Sequence, residues 1–303
     1  MELPLRFFSP SISLRPRLAC EITPGGVLAA RHSNSAQAVM AFVPVAAGAV
    51  KPDLAEPNFA DASLVIAALR NALDEVGPRE KQLTLVVPDA AVRVLILDFD
   101  SLPSKAQEAL PIVRFRLRKL TPFDVDDAAV SSQVMSQQQD QTRVLVTVMP
   151  AVIRAEYESA VRAAGYEPGV ILPSMLASLA ALGSGEAALV VNRNGLSLTT
   201  AITNGDELLL HRTLELPASD ALRREELAQV VSVASAYFED TLHALPDTLY
   251  YAGPGGAEEF AAMLGPEIGN GLRVRDLVPV SATGAVSAMP KGLAAGVVGA
   301  LAS

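Results

Sequence analysis

Three closely spaced carboxylates are the densest group of residues in this chain whose type and spacing could do chemistry. Asp124, Asp126 and Asp127 follow Pro122 and Phe123 in a sequence of 303 residues. Oxygen ligands this close together could surround a hard cation such as Ca²⁺. No glycine-centred calcium-loop pattern follows them, however, so the sequence favours a solvated acidic loop over a metal site.

Cysteine and histidine, which also bind metals, are sparse. Cys20 is the single cysteine, which excludes an intramolecular disulfide and a cysteine-based zinc site and indicates a small buried apolar residue. His32, His211 and His243 lie far apart in the sequence, without metal-ligand spacing. The chain also has no nucleophile elbow, P-loop or dinucleotide fingerprint. No metal site is therefore predicted.

A glycine-rich turn late in the chain is another segment that could bind a ligand. Gly253, Gly255 and Gly256 flank Pro254 between a strand pattern and a helix pattern. Glycines in such a turn let backbone amides approach a phosphate, and the N-terminus of the following helix favours an anion. The same composition also makes a plain turn, so both interpretations stay open.

The composition restricts the classes of partner. Half of the residues are hydrophobic, 5% are aromatic and the net charge is -9. Aliphatic strands of this kind are typical of mixed α/β cores. The negative charge argues against nucleic acid or anionic lipid as the main partner, because both require dense positive charge.

Neither end of the chain predicts a targeting or membrane-spanning segment. The first 17 residues are too polar and too often interrupted by proline for a signal peptide. Residues 292–302 are apolar but cover only about half of the ~20 residues that a span requires. They predict a buried closing helix, and we expect any membrane association to come through a partner.

The order of predicted elements repeats between the two halves of the chain. In the first half, strands at residues 17–23, 27–32 and 38–44 precede a helix at 64–76 and a strand at 83–87. The second half has three strands, a helix and a strand in the same order, at residues 187–191, 196–203, 207–214, 222–245 and 248–251. The repeat is architectural, without repeated sequence, and predicts two related α/β domains.

A strand-helix-strand-strand-helix block interrupts the first half at about residues 90–165. Ser104 with Gln107 resembles a capping box that opens its first helix. Pro111 should kink or restart that helix, because proline lacks an amide proton and clashes with the preceding turn. We expect a small α+β subdomain inserted into a larger domain.

This plan resembles the actin, Hsp70 and sugar-kinase superfamily, and within it the PilM family of type IV pilus assembly proteins. The resemblance rests on the duplicated strand meanders, on IVRFRLRKLTPFDVDDAAVSSQVM at residues 112–135, and on the segment 144–182. It implies an α/β chain with a duplicated actin-like ATPase (ribonuclease H-like) fold, with two domains around a cleft. The implied division is a leader at 1–16, a first domain at 17–185 that contains the inserted subdomain at about 90–165, and a second domain at 186–303.

In that family, ATP with Mg²⁺ lies between two phosphate hairpins and a glycine-rich adenosine loop. The resemblance places the cofactor-binding backbone of this chain at Gly25, Gly26, Asn194, Gly195, Gly253, Gly255 and Gly256. The family's Asp-Ile-Gly is replaced by Glu21-Ile22-Thr23 in the first hairpin and by Asn192-Arg193-Asn194 in the second. Thr23 adds a β-carbon where phosphate would approach, and Asn192 removes a carboxylate. ATP binding is left open, hydrolysis is not expected, and Glu21 is the catalytic candidate if the chain is active.

The first helix of the inserted block carries a basic cluster in an otherwise acidic protein. PilM-like proteins bind an N-terminal cytoplasmic peptide of PilN, a membrane protein with a single span, in a groove near this subdomain. The residues that the resemblance assigns to partner binding here are Val113, Arg114, Phe115, Leu117, Arg118, Pro122 and Phe123. The apolar members of this set could instead form the subdomain's own core.

The resemblance implies a cytoplasmic scaffold of pilus assembly, held at the inner membrane by a PilN-like protein and linked to the pilus motor machinery. Two alternatives keep the same fold. One is an active ATPase or a sugar-kinase-like phosphotransferase. The other is a cytoplasmic component of a type II secretion system.

Overall fold

Among the residues that it describes, the computed structural model contains two five-stranded sheets and one three-stranded sheet. The structure describes residues 16–32, 38–77, 79–138, 140–182, 185, 187–265, 271–279 and 289–302. Nearly all of the predicted leader at 1–16 lies outside these ranges.

The first sheet is built around β1 (Leu18–Thr23), whose six residues are all buried. β2 (Gly26–Arg31) and β3 (Val39–Pro44) extend it as an antiparallel meander, as predicted. The chain then crosses the sheet through helix α1 (Ala62–Val76) and returns in β4 (Gln82–Val87), parallel to β1. Asp61 starts α1 by accepting a hydrogen bond from the backbone amide of residue 63.

The first sheet is completed after the inserted block. Helix α3 (Ala151–Ala163) leads into β8 (Glu167–Pro173), which pairs parallel to β4. The strand order is therefore β3-β2-β1-β4-β8. Helix α4 (Ser174–Leu179) follows β8 directly and carries the chain toward the second half.

The second sheet has the same plan. It consists of β9 (Ala188–Asn194), β10 (Ser197–Asn204), β11 (Glu207–Glu215), β12 (Thr248–Ala252) and β13 (Arg273–Asp276). The first three strands are antiparallel and the last two run parallel to β9, so the order is β11-β10-β9-β12-β13. The predicted duplication is confirmed, because both sheets have the same strand order: the third, second and first strands of the meander, followed by two parallel strands.

Helices with one apolar face pack that face against the sheets. In the second half, α5 (Asp220–Leu242) and α6 (Gly256–Leu264) bury one apolar face each against the sheet. α5 ends at His243, which takes the left-handed conformation. The last helix, α7 (Ala295–Ala302), is mostly buried, as predicted for this segment.

The two faces of β1 are covered by different helices. Leu18, Cys20 and Ile22 point into the core formed with α1 and α3, whereas Ala19 points toward α4 and α7. Helix α7, which the sequence-based division counts with the second half, therefore packs on the first sheet. The domain division itself stays a prediction. For the site, the important consequence is that Glu21, which lies on the same face as Ala19, is directed toward α7.

The inserted block forms a separate small layer, as predicted. β5 (Arg93–Phe99), β6 (Ala129–Gln138) and β7 (Gln141–Met149) make an antiparallel sheet in the order β5-β7-β6. Helix α2 (Ala106–Leu117) packs on this sheet and contributes the fully buried Val113 to a core of its own.

The predicted start of α2 is wrong, and the restart offered as one possibility at Pro111 does not occur. The helix begins after Lys105, and no side chain caps it, so the predicted capping box of Ser104 and Gln107 does not form. The helix also continues through Pro111 instead of restarting there. Pro111 lies in the second turn, where its missing amide proton removes one intrahelical hydrogen bond, and its ring is exposed to solvent.

In the part of the chain that the structure describes, no helix has both the length and the apolar character needed to cross a bilayer.

Candidate functional site

The first hairpin turn, between β1 and β2, has its backbone amides occupied by a side chain of its own. The hydroxyl of Thr23 accepts hydrogen bonds from the amides of Gly25 (3.3 Å) and Gly26 (3.2 Å) and donates one to the Gly26 carbonyl (2.9 Å). These amides are the groups that the resemblance assigns to phosphate binding. Thr23, which departs from the family pattern, therefore provides the acceptor for both of these amides.

The second hairpin turn, between β9 and β10, lies directly against the first. Gly195 has a positive φ of 65°, and a Cβ added to it would lie 3.0 Å from the Pro24 ring. Arg193 bends back over its own turn, where its Nε donates to the Gly195 carbonyl at 3.2 Å. The two turns are therefore in contact at Gly195 and Pro24.

The glycine-rich loop between β12 and α6 also packs against protein. The Gly253 amide donates to the carbonyl of Gly292 at 2.9 Å, and a side chain on Gly292 would overlap the Gly253 carbonyl. Gly256 faces Asp276, whose Oδ1 accepts from the Ala257 amide at 2.8 Å. A Cβ on Gly255 would collide with the side chain of residue 259. The structure brings the predicted loop close to the two hairpins, but the glycines are used here for close backbone packing.

Between these turns, buried polar groups from both halves of the chain form one hydrogen-bonded cluster. We call it the clasp, and it consists of Glu21, Asp89, Ser174, Asn192 and Asn194. Asp89 follows β4 and accepts from the amide of residue 175 at the start of α4, at 3.0 Å. Ser174 donates to Glu21 at 2.6 Å.

The second half contributes the amide donors of the clasp. Nδ2 of Asn192 lies 2.8 Å from the Ser174 hydroxyl and 3.3 Å from Oδ2 of Asp89. Nδ2 of Asn194 lies 3.1 Å from the same hydroxyl. All five side chains belong to residues at most 6% exposed, so these bonds form away from water. A buried network of this kind strongly specifies one arrangement of its partners.

Burial dominates the electrostatics of the clasp. It raises the pKa of Glu21 to about 7, with Asp89 adding to the shift and the Ser174 hydrogen bond opposing it. Burial likewise raises the pKa of Asp89 to about 6, against hydrogen bonds from Met175 and Asn192 that favour its ionised form. Oε2 of Glu21 has no hydrogen-bond partner among the described residues. It abuts α7 at Gly296, where any side chain would overlap the carboxylate.

A small cavity lies inside the clasp. A cavity of about 10 Å³ remains between Glu21, Ser174, Asn192 and the backbone at Gly253 and Gly292. That is about the limit for one water molecule, whereas ligand sites of drug-sized molecules measure about 300 Å³ or more. The interior of the clasp therefore has no room for a phosphate group.

A much larger groove lies beside the inserted subdomain. It measures about 1340 Å³ and runs between the loop at residues 50–57, the start of β5, and β11. The two hairpin turns, at Pro24 and at residues 193–197, also line it, as does Asp89 of the clasp. Its lining mixes apolar side chains with charges of both signs. The apolar lining includes Pro52, Leu54, Pro57, Val92, Val94, Leu95, Pro122 and Leu214.

The residues predicted to bind a partner peptide divide into three groups. Val113 and Leu117 are fully buried in the subdomain core. Arg114 donates to the backbone carbonyls of Val125, Asp126 and Ala128 and so holds the acidic loop. Of the others, Phe115 is 63% exposed and Arg118 forms an exposed ion pair with Asp126. Phe123 packs on the subdomain core, and Pro122 lines the groove.

Several residues of the cleft and groove escaped the sequence analysis. Asp89 and Ser174 join the clasp although neither belongs to a hairpin. A weak signal existed, because both follow a proline that ends a strand, and β4 and β8 are parallel neighbours whose ends share one sheet edge. The groove loop at residues 50–57 carries no recognised motif and was not identified. His211 lines the groove, and burial lowers its pKa to about 4.

Comparisons with known proteins agree with this geometry at the level of the fold. A solved structure described as the PilM-PilN type IV pilus biogenesis complex matches with a TM-score of 0.74 and 18% identity, covering 94% of this chain and 98% of that chain. The cytoplasmic domain of EpsL, an inner-membrane component of the type II secretion system of Vibrio cholerae, matches with a TM-score of 0.51 and 15% identity, covering 94% and 92%. No protein-family model and no curated protein sequence matches the chain. The predicted resemblance to PilM is confirmed for the fold, as is the duplicated actin-like fold class.

Proposed function

We propose that this chain is a scaffold that binds the cytoplasmic peptide of a PilN-like membrane protein in the groove beside the inserted subdomain. The groove carries the proposal, because at about 1340 Å³ it is large enough for several residues of an extended peptide. The likeness to a chain of the PilM-PilN type IV pilus biogenesis complex supports the choice of partner. The protein would act at the cytoplasmic face of the inner membrane, held there by that partner and linked through it to the pilus motor machinery.

The closed cleft supports a scaffold over an enzyme. Turnover of ATP would require the two hairpins to separate and the buried hydrogen bonds of the clasp to break. The amides of Gly25 and Gly26 would also have to exchange the Thr23 hydroxyl for phosphate. We therefore assign no catalytic role to Glu21, and we regard pilus assembly as better supported than secretion because the PilM likeness has the higher TM-score.

A binding titration tests this proposal. The probe is a fluorescent peptide with the N-terminal cytoplasmic sequence of a PilN-like protein. We expect saturable binding that Mg-ATP leaves unchanged. Leu54→Asp should weaken the affinity by about tenfold, because it buries a charge against the peptide. The matched control is Leu245→Asp, at a residue 71% exposed outside the groove lining.

Two results would contradict the proposal. One is the absence of peptide binding, with or without ATP. The other is steady ATP hydrolysis abolished by Glu21→Gln, which would favour the ATPase alternative. A thermal-shift titration with Mg-ATP gives an independent readout, since a ligand selective for the folded state must raise its melting temperature. We expect no rise.

A further inference from the structure

One wall of the groove is an exposed loop with an unusually complete set of internal hydrogen bonds. Residues 51–57 line the groove, and none of them is buried. The loop closes at its base through an antiparallel bridge between Val50 and Phe59 and through a 2.7 Å bond from the Lys51 amide to the Asn58 carbonyl. At its tip, Asp53 Oδ1 accepts from the amides of residues 55 and 56 at 2.6 and 3.0 Å.

Asn58 fixes this loop from the inside. It is fully buried, and its Nδ2 donates to the carbonyls of Asp53 and Glu56, both at 2.9 Å. Its Oδ1 accepts from the Asp53 amide at 3.2 Å and from the Tyr157 hydroxyl at 3.0 Å. Every hydrogen-bonding position of this amide is therefore used. A fully satisfied buried amide favours one loop conformation over the many open to an exposed segment.

Glu156 of α3 anchors the base of the loop to the body of the first half. Its two carboxylate oxygens accept from the amides of Asn58 and Phe59, both at 2.8 Å. The neighbouring Tyr157 supports the same point, since its ring packs edge-to-face against Phe59 with centroids 4.8 Å apart. Charge-assisted bonds to two successive amides are stronger than neutral ones. The carboxylate thus ties the groove wall to a helix that does not itself line the groove.

We infer that Glu156 and Asn58 are positioning residues for peptide binding, which hold the groove wall in its binding conformation before the peptide arrives. The inference rests on the proposed function. Ordering a flexible wall during binding would reduce the apparent affinity by the fraction of molecules in the competent state. A wall that is already ordered avoids this loss, which explains why an exposed loop is built around a buried amide.

The test compares Glu156→Gln and Glu156→Ala with wild type by stopped-flow binding of the same peptide at 25 °C. Glutamine keeps one acceptor oxygen, but its NH₂ group faces an amide donor, and alanine keeps no acceptor. We expect the association rate to fall by about threefold for glutamine and about tenfold for alanine, with the dissociation rate unchanged. Hydrogen exchange at the amides of residues 58 and 59 should accelerate in the same order.

The matched control is Glu158→Gln, on the same helix, where the carboxylate pairs with Arg154 and Arg162 instead of the loop. It should leave both rates unchanged. A residue that only stabilised the fold would not alter binding far below the melting temperature, so unchanged association in the folded Glu156 variants overturns the inference while the proposed function stands. A rise in the dissociation rate alone also overturns it. Failure of wild type to bind refutes the proposed function and this inference with it.

Discussion

Replacing the side-chain NH₂ group of Asn192 with an oxygen tests whether the clasp stabilises the fold. Asn192→Asp restores the carboxylate that the family pattern has in the second hairpin, without changing the shape of the side chain. If the cleft were a dormant metal site, the variant should gain Mg-ATP binding. If the clasp holds the two halves together, the variant should lose stability, because it replaces a donor to Asp89 with a second negative charge.

The expected loss can be estimated from the structure. The exchanged atom lies 3.3 Å from Oδ2 of Asp89, and two unit charges at that distance repel by about 5 kcal/mol at an effective dielectric constant of about 20. A proton shared between the carboxyls lowers this cost, since Asp89 has a pKa of about 6 in the wild type. Allowing for that and for the lost donor bond to Ser174, we expect unfolding free energy to fall by about 3 kcal/mol at pH 8. The melting temperature should drop by about 6–10 °C.

The penalty should depend on pH in a defined direction. A carboxyl with a folded-state pKa above its unfolded value of about 4 favours folding below that value, and this contribution is lost as the pH rises through the folded pKa. The paired carboxyls of the variant are such groups. Relative to wild type, the variant should therefore be less destabilised at pH 5 than at pH 8.

Urea denaturation at both pH values measures these differences. Asn204→Asp is the matched control, because it makes the same chemical change at an exposed residue that ends β10. It should stay within about 0.5 kcal/mol of wild type. Equal stability of Asn192→Asp and wild type at pH 8, or a thermal shift with Mg-ATP gained by the variant, would refute the clasp.

Two further predictions concern the first hairpin. Burial raises the pKa of Glu21 to about 7 from an ordinary value of 4.5. Its contribution to wild-type stability, about 3 kcal/mol, is therefore present below pH 4.5 and lost as the pH rises to about 7. Glu21→Gln should make the unfolding free energy less dependent on pH and should be at least as stable as wild type at pH 8. If the unfolding free energy of the variant still differed between pH 5 and pH 8 as much as that of wild type, the raised pKa would not belong to Glu21. Thr23→Val should lower unfolding free energy by about 1–2 kcal/mol, because it leaves two turn amides without their acceptor, and denaturation with no change in midpoint would contradict this.

Much of the fold was predictable because its signals are local. The hairpin after β10 is marked by Asn204 and Gly205, and the end of α1 by Gly77, so strand and helix boundaries follow from adjacent residues. The duplicated order of elements then indicated two related sheets. The start of α2 was mispredicted because a capping box requires a side-chain geometry that Ser104 does not adopt.

The site was predictable only where its residues lie on the hairpins. Glu21 and Asn192 were identified, but their partners Asp89 and Ser174 are distant in sequence, and nothing local marks a contact across a cleft. Asn192 was interpreted as the loss of a carboxylate. Its role as a donor becomes visible only when Asp89 is placed opposite it. The groove loop was missed for the same reason, since the partners of Asn58 include Tyr157, about 100 residues away.

The residues that depart from the nucleotide-binding pattern form hydrogen bonds with the polar groups around them. This indicates that the phosphate-binding residues were replaced by a different hydrogen-bonded arrangement and not simply lost. Decay of a phosphate site would leave buried amides and carboxylates without partners, and native interiors rarely tolerate such groups. Here the Thr23 hydroxyl takes the amides of the first turn, and Asn192 donates to Asp89. The carbonyl of Gly292 takes the Gly253 amide. Among the described residues that line the cleft, buried side-chain atoms remain unpaired only at Oε2 of Glu21 and at the hydroxyl of residue 178. Several of the polar groups that the resemblance assigns to nucleotide binding are therefore satisfied within the protein.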